Sequence, residues 1–326
     1  MLCINRNETD PWFNLAAEEY VLRSFTDDCF MLWRNEPSII VGKHQNTLAE
    51  INHNFVREHG IRVVRRISGG GAVYHDQGNI NFSFVANGEK DKLVDFRRFT
   101  KPILEVLVNL GVDARFEGHN DLKINGMKFS GNAEHVYKNR VLHHGTLLFD
   151  SDLEMINQAL TIDSEKFSDK AVKSIRSKVK NISYHLPGQM EITDFMDIVL
   201  NHVLKSHPDA TLYSFDELDY ERIEELVRTK YSTWEWNYGS SPNYTFRKSI
   251  NLSGEALHVE IRVRQGIIEN VDIHINELII GDFKWIISNL VGLPHDYEKL
   301  FKVFRKTDQL KNWHDRSVDE FTKAFF

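Results

Sequence analysis

The sequence predicts an α+β fold. Strand-like runs are joined by short turns, helical segments are scattered between them, and one long extended stretch runs from Asp113 to Phe149 with a single turn at Asn125-Gly126. Regular alternation of strand and helix would instead give a doubly wound α/β sheet. A composition break at Gly239-Ser240-Ser241-Pro242 divides the 326 residues into an N-terminal domain, 1–242, and a small α+β C-terminal domain, 243–326. Roughly 100–200 residues per domain agrees with two.

Taken in order, Asp10-Pro11 is a helix start, with Asp as N-cap and Pro at the first helical position. This helix runs to about Phe25. Strands follow at Phe30–Trp33 and Ser38–Val41, separated by the turn Asn35-Glu36-Pro37. A helix from Leu48 to His59 stops at Gly60. Strands Ile61–Arg66, Ala72–His75 and Asn79–Val85 come next. Phe99, Ile103, Val106, Leu107 and Leu110 share one helical face, and Gly111 ends that helix. Helices are expected over Glu191–Lys205 and Asp216–Lys230. Beyond the break, Leu257, Val259, Ile261 and Val263 alternate with polar residues as in a half-buried strand. Gln265-Gly266 turns that strand into a second, Ile267–Ile275, and helical stretches follow.

Composition narrows the function. Hydrophobic residues at 41% and charged residues at 27% are ordinary for a globular protein. No long uncharged apolar run marks a membrane span, and Met1 to Pro11 lacks the apolar stretch of a signal peptide. The two cysteines, Cys3 and Cys29, exclude a disulfide framework and point to a reduced, cytoplasmic setting. The net charge of −7 argues against general nucleic-acid binding. An anionic ligand must therefore meet a local cluster of positive charge.

Four segments carry the chemistry. In Arg65-Arg66-Ile67-Ser68-Gly69-Gly70-Gly71-Ala72-Val73-Tyr74-His75, three glycines between two strands let a ligand approach the backbone. Arg66 can supply charge to a carboxylate or phosphate; a plain hairpin turn would use the same glycines. Neither a P-loop nor a dinucleotide fingerprint is present. In the second segment, Asn120 to Ala133, Lys128 has small neighbours at Ser130, Gly131 and Ala133. A lysine so placed can offset charge that builds during a reaction; a solvated surface lysine is the plainer alternative. Asp121 suits either a magnesium ion between phosphates or an Asx turn.

The third segment, His143-His144-Gly145-Thr146, puts two histidines on opposite faces of a strand, so one can line a pocket while the other faces away. The fourth is the basic run Lys166, Lys170, Lys173, Arg176, Lys178 and Lys180, opposed only by Asp169. It reads either as a solvated helix face or as a loop that closes over a nucleotide phosphate.

Together these segments resemble the lipoate–protein ligase family. The glycine loop to Asn79 resembles its lipoate-binding loop, and Asn120 to Ala133 its catalytic-lysine segment. His143 to Leu148, Ser174 to Asn181, Trp234 to Gly239, Asp10 to Glu19 and Trp33-Arg34-Asn35 also resemble family segments, in order. The resemblance implies a catalytic domain of the class II aminoacyl-tRNA synthetase and biotin ligase type, with a mixed sheet, followed by an accessory domain. It implies ATP-dependent activation of lipoate to lipoyl-AMP, with Mg²⁺, and no tightly bound prosthetic group. The lipoyl group then passes to a lysine of an apo lipoyl domain of a 2-oxoacid dehydrogenase E2 subunit or of the glycine-cleavage H protein.

By the same resemblance Lys128 is catalytic. Glu18, Trp33, Arg66, Ser68, Gly69, Gly70, Gly71, Ala72, Val73, Tyr74, His75, Asn79, Ala133 and His144 line the lipoyl-adenylate pocket. Lys173, Arg176 and Lys178 belong to the adenylate loop, and Asp121 is the candidate Mg²⁺ ligand. Apolar residues along Asn79–Phe84 are expected to form one wall of the lipoate tunnel. The chain departs from the family at His119, usually Arg, and at Met127, often Arg or another polar residue. An ATP-independent acyltransferase of the same superfamily, or a catalytically silent lipoyl-adenylate binder, are the alternatives. The distance in sequence of Cys3 and Cys29 from the glycine loop and Lys128 disfavours a cysteine nucleophile.

Overall fold

A computed structural model describes residues 1–88, 93–160, 164–252, 255–275, 283–306 and 318–326. The chain forms two compact units, and neither is one stretch. The first contains Met1–Lys43, Ile61–Asn157 and Ser174–Thr233; the second contains His44–Gly60, Gln158–Lys173 and Trp234–Phe326.

The first unit is built on an eight-stranded mixed sheet. The strand order is Thr211–Leu212, Leu2–Asn5, Cys29–Trp33, Asn79–Asn87, Arg140–Leu148, Met127–Tyr137, Asp121–Ile124 and Ala114–Glu117. The first three run parallel and the remaining pairings are antiparallel. Alternation in the central strand decides which face is which. Ile80, Phe82 and Phe84 point into a core with Phe99, Ile103 and Val106 of helix Phe96–Asn109 and Phe195, Val199 and Val203 of helix Ile192–Ser206. Each large side chain buried this way contributes roughly 1.5–3 kcal/mol.

The opposite face is polar, carrying Asn81 and Ser83, and helix Pro11–Ser24 meets it through Glu18. Asp10 caps that helix by accepting from the Trp12 and Phe13 amides. Glu19 bolts it to the turn Val227–Tyr231, accepting from Lys230 Nζ at 2.5 Å and the Tyr231 hydroxyl at 2.6 Å. Burial alone would raise the Glu19 pKa; the hydrogen bonds from Lys230 and Tyr231 outweigh it and hold the carboxyl below its usual value. A three-stranded sheet, Arg62–Arg65, Ser38–Val41 and Val73–His75, frames the glycine loop.

The second unit contains an antiparallel sheet in the order Phe167–Asp169, Tyr244–Leu252, Glu255–Arg264 and Ile267–Ile275. Its core takes in Phe246, Val259, Ile261, Ile273 and Phe304, together with Leu48, Ala49 and Phe167 from earlier in the chain. A single cut at 242 therefore differs from the observed grouping, because three apolar residues N-terminal to it are buried against strands C-terminal to it.

Other differences are local. The helix expected over Leu48–His59 is two, Thr47–Glu50 and His53–Glu58, because the Asn52 side chain accepts from Phe55 N and starts the chain afresh. The helix expected over Asp216–Lys230 ends at Leu226, where the winding loosens into a π turn. Strand Tyr244–Leu252 escapes sequence reading because Lys248 interrupts the apolar series Tyr244, Phe246, Ile250. The expected C-terminal helical stretches are present at Phe283–Leu290, Tyr297–Phe304 and Val318–Lys323; residues 307–317 lie outside the described set.

Candidate active site

The polar face of the first unit's sheet carries a directed chain of hydrogen bonds. Trp33 Nε1 donates to Ser83 Oγ at 3.1 Å, and Ser83 donates to Glu18 Oε1 at 2.6 Å. His144 Nδ1 lies 3.0 Å from both Glu18 oxygens, and its Nε2 lies 2.6 Å from Ser68 Oγ. An ionised carboxylate only accepts, so Nδ1 carries the imidazole proton and Nε2 accepts from Ser68. Arg66 Nε then donates to Ser68 Oγ at 3.0 Å. All six side chains are buried. Ser83 has no part in the sequence-based site; its signal is the polar series Asn79, Asn81, Ser83 alternating with Ile80, Phe82, Phe84.

This alternation also corrects the expected tunnel wall. Ile80, Phe82 and Phe84 face the core, and the residues turned toward Glu18 and His144 are the polar ones. Three buried polar atoms near Trp33 have no hydrogen-bond partner: His75 Nε2, Asn79 Oδ1 and Asn81 Nδ2. Native interiors rarely leave such groups unpaired. His75 Nδ1 accepts from Asn35 Nδ2 at 3.0 Å, which leaves the proton on Nε2. Burial, then the Arg66 charge, pushes the His75 pKa down to about 3.

The glycine loop is held by its own arginine. Arg66 NH2 donates to the carbonyls of Gly69 at 2.6 Å and Gly71 at 2.8 Å, and NH1 donates to Ile40 O at 3.1 Å. Its guanidinium is thus spent on shaping the loop, with its pKa pushed down to about 10 by burial. Gly70 has φ +94, and a Cβ there would lie 2.9 Å from Arg66 NH2. Gly71 is approached from outside: a Cβ would lie 2.9 Å from Ser174 Oγ and 3.1 Å from Ser174 Cα. Ala72 N donates to Ser174 Oγ at 2.8 Å. Tyr74 is buried, Val73 half-buried, and the two lie in the strand paired with Ser38–Val41.

Lys128 reaches this face through a β-bulge. Leu122 pairs with Ser130 but Lys123 pairs with Lys128, so Phe129 is an extra residue in its strand. Phe129 is buried in the core, while Lys128 shares the face of Gly131, Ala133 and His144. An unbroken alternation from Ala133 back to Lys128 would aim the lysine into the core. Lys128 Nζ pairs with Asp121 Oδ1 at 2.8 Å, and a Cβ on Gly131 would lie 3.1 Å from Nζ. Neither alternative for Asp121 anticipated this ion pair.

The structure thus joins Glu18, Trp33, Arg66, Ser68 and His144 directly, and brings Lys128, Asp121 and Ala133 to the same sheet face. His143 faces the opposite way: it stacks on Phe99 at 5.1 Å and meets Glu134 Oε1 at 2.8 Å. The basic run is not one helix face; residues 170–178, which carry Lys170, Lys173, Arg176 and Lys178, form one irregular segment. Lys166 ends a 3-10 turn, Phe167–Asp169 is a strand, and Lys173 falls in the second compact unit. Arg176 and Lys178 belong to the first unit and are exposed.

The model of the lipoyl protein ligase A/B catalytic domain matches residues 10–204, and that of the bacterial lipoate protein ligase C-terminus matches residues 241–325. Lipoate–protein ligase 1 of Staphylococcus aureus is 40% identical over 306 residues, 93% of each chain. The ligase LplJ of Bacillus subtilis is 40% identical over 90% of this chain and 89% of its own. The chain belongs to the lipoate–protein ligase family. That family's activity is ATP-dependent attachment of lipoate to a protein lysine. Among solved structures, the lipoate protein ligase of the archaeal bipartite lipoylation system of Thermoplasma acidophilum matches with TM-score 0.63 and 26% identity, over 73% of this chain and 96% of that one. The Plasmodium falciparum LipL1 structure, solved with lipoate, matches with TM-score 0.64 and 25% identity over 99% and 98%.

For a ligase of this family the cation question is limited. Among the described residues no group of three or more His, Cys, Asp or Glu is placed to hold a metal ion. Mg²⁺ commonly binds through one or two carboxylates with substrate phosphates supplying the rest; the Asp121 carboxylate is paired with Lys128 Nζ at 2.8 Å. No described helix is long and apolar enough to cross a membrane.

Proposed function

We propose that this ligase makes lipoyl-AMP on the polar sheet face and transfers the lipoyl group to a lysine of an apo lipoyl domain or H protein. The observation that carries this reading is the bulge that brings Lys128 to the face of Glu18, Ser68 and His144. In the first step a lipoate carboxylate oxygen bonds to the α-phosphorus of ATP and the bond to pyrophosphate breaks. Lys128 offsets the negative charge shared by carboxylate and phosphate as they meet. The Val73–His75 strand and the glycine loop hold the adenylate, and the unpaired atoms of His75, Asn79 and Asn81 meet polar atoms of the ligand. In the second step the acceptor amine attacks the lipoyl carbonyl, AMP leaves, and the amine gives up a proton as the amide forms. Asp121 would hold a magnesium ion, which supplies charge neutralisation at the phosphates. Until the acceptor arrives the mixed anhydride must be kept from water.

We assign activation and transfer to residues 1–242, an accessory role to 243–326, and a cytoplasmic setting to the whole. The LplJ and S. aureus likenesses support ligation over an ATP-independent transfer. Cys3 and Cys29 are fully buried, and burial raises both thiol pKa values, Cys29 to about 12, so neither is a ready nucleophile. The test is ATP–pyrophosphate exchange with and without lipoate, followed by transfer to a panel of apo acceptors. Lipoate-dependent exchange supports the reading; transfer from a carrier-bound acyl group without ATP would favour the transferase.

A further inference from the structure

Lys128 and the glycine loop lie far apart in sequence, and one short segment touches both. At one end, Ser174 Oγ accepts the Ala72 amide at 2.8 Å, and a Cβ on Gly71 would come within 3.1 Å of Ser174 Cα. At the other end, Lys128 N donates to Lys178 O at 3.0 Å and Lys180 N donates to Lys128 O at 3.0 Å. Val179 therefore bridges Lys128 as a parallel strand residue. The register explains why this edge is available. Strand Arg140–Leu148 pairs with Met127–Tyr137 only as far as Gly145 and Asn132, so Lys128 has no partner there on that side. An open strand edge offers unpaired N–H and C=O groups, and residues 178–180 satisfy them.

We infer that the backbone of Ser174–Lys180 is a splint that positions Lys128 against the glycine loop, a role separate from the charges the segment carries. The inference rests on the proposed role of Lys128. The backbone of Lys128 is gripped on one side by Lys123 through the bulged pairing and on the other by the Lys178 carbonyl and Lys180 amide. Only three residues, Ile175, Arg176 and Ser177, separate the Ser174 contact from the Lys178 contact, too few to leave the two ends independent. A change in either contact is therefore felt at the other. Ser174 and the Lys180 amide are positioning elements, acting through Lys128 and Ala72.

The discriminating pair is Lys180→Ala and Lys180→Pro. Both remove the ammonium; only proline removes the N–H that reaches Lys128 O. Relative to Lys180→Ala, Lys180→Pro is expected to lower the kcat of lipoate-dependent pyrophosphate exchange about tenfold, the worth of one well-placed hydrogen bond, with lipoate affinity the same in the two variants. Ser174→Ala, which keeps the backbone intact, should lower kcat in the same sense at the other end. Hydrogen exchange gives a readout independent of activity: the Lys128 amide should be protected in the natural protein and in Lys180→Ala, and less protected in Lys180→Pro, where its own bond to Lys178 O loses the return bond from residue 180. Equal kcat in the two Lys180 variants, or an unprotected Lys128 amide in the natural protein, overturns the splint. Protection with no lipoate-dependent exchange by the natural protein would instead overturn the reading of Lys128 and leave the backbone pairing standing.

Discussion

On one face of the central sheet His144 donates to Glu18 and accepts from Ser68; on the other, one residue earlier, His143 stacks on Phe99 and meets Glu134. Both histidines face a buried carboxylate. They differ in what surrounds the pair. Glu18 also receives Ser83, so its charge is shared among donors that lead to the glycine loop. Glu134 Oε2 and His143 Nε2 have no further partner, and Phe82, Phe96 and Phe99 surround the imidazole. The difference teaches that identical residue pairs acquire different surroundings according to the sheet face they occupy.

Four measurements break or sharpen that contrast. Lys128→Ala, on the polar face, should lose ~10²–10³ in lipoyl-adenylate formation with an unchanged melting temperature. Near-normal pyrophosphate exchange would sink its assignment. The paired test is smaller. His144→Ala should raise the KM for lipoate roughly tenfold by leaving Glu18 and Ser68 short of a partner, whereas His143→Ala should cost about 2–3 kcal/mol of stability and keep normal kcat in the folded fraction. Denaturant unfolding alongside steady-state kinetics reads both, and the opposite assignment of effects would invert the two faces.

Gly70→Val forces a β-branched side chain into φ +94 and against Arg66 NH2. Strain of roughly 1–3 kcal/mol falls on the glycine loop, so lipoate affinity by calorimetry should drop more than overall stability. Unchanged affinity would return the glycines to the role of a plain turn.

The smallest effect is on pH dependence. His75 is held neutral with its pKa pushed down to about 3 by burial and the nearby Arg66 charge. Burial likewise lowers His143, with Glu134 opposing but not reversing it. In the unfolded chain both take a proton below about pH 6.5, so acid favours unfolding. Their contribution is full above that pH and is lost as pH falls toward the folded values. For His75 the loss between pH 6.5 and 5 is about 2 kcal/mol. Replacing His75 by Gln should flatten the fall in unfolding free energy over this window. An unaltered slope would mean that His75 is not held neutral.

Much of this was legible without the fold. Helix Pro11–Ser24, strands Ser38–Val41 and Ile267–Ile275, and the turn at Asn125-Gly126 stand where caps, alternation and turn residues put them. These signals are local: an N-cap, a period of two, a residue tolerant of positive φ. Lys128 and the glycine loop could be singled out for the same reason, since small residues beside a charged one form a pattern in the sequence itself; the choice of His144 over His143 came only with the family resemblance.

What tertiary structure alone decided is everything that depends on a partner distant in sequence. Arg66 looks like a ligand-binding cation until the carbonyls of Ile40, Gly69 and Gly71 are found around it. Ser83 has no motif; its role comes from Glu18, 65 residues away. Leu48 and Phe167 belong to the second core because its strands bury them, which no boundary drawn along the chain can express. The aim of Lys128 turns on Phe129, one extra residue in a ladder, and a bulge is a relation between two strands. Composition and periodicity fix what each residue prefers locally; the register of paired strands decides which side chains meet.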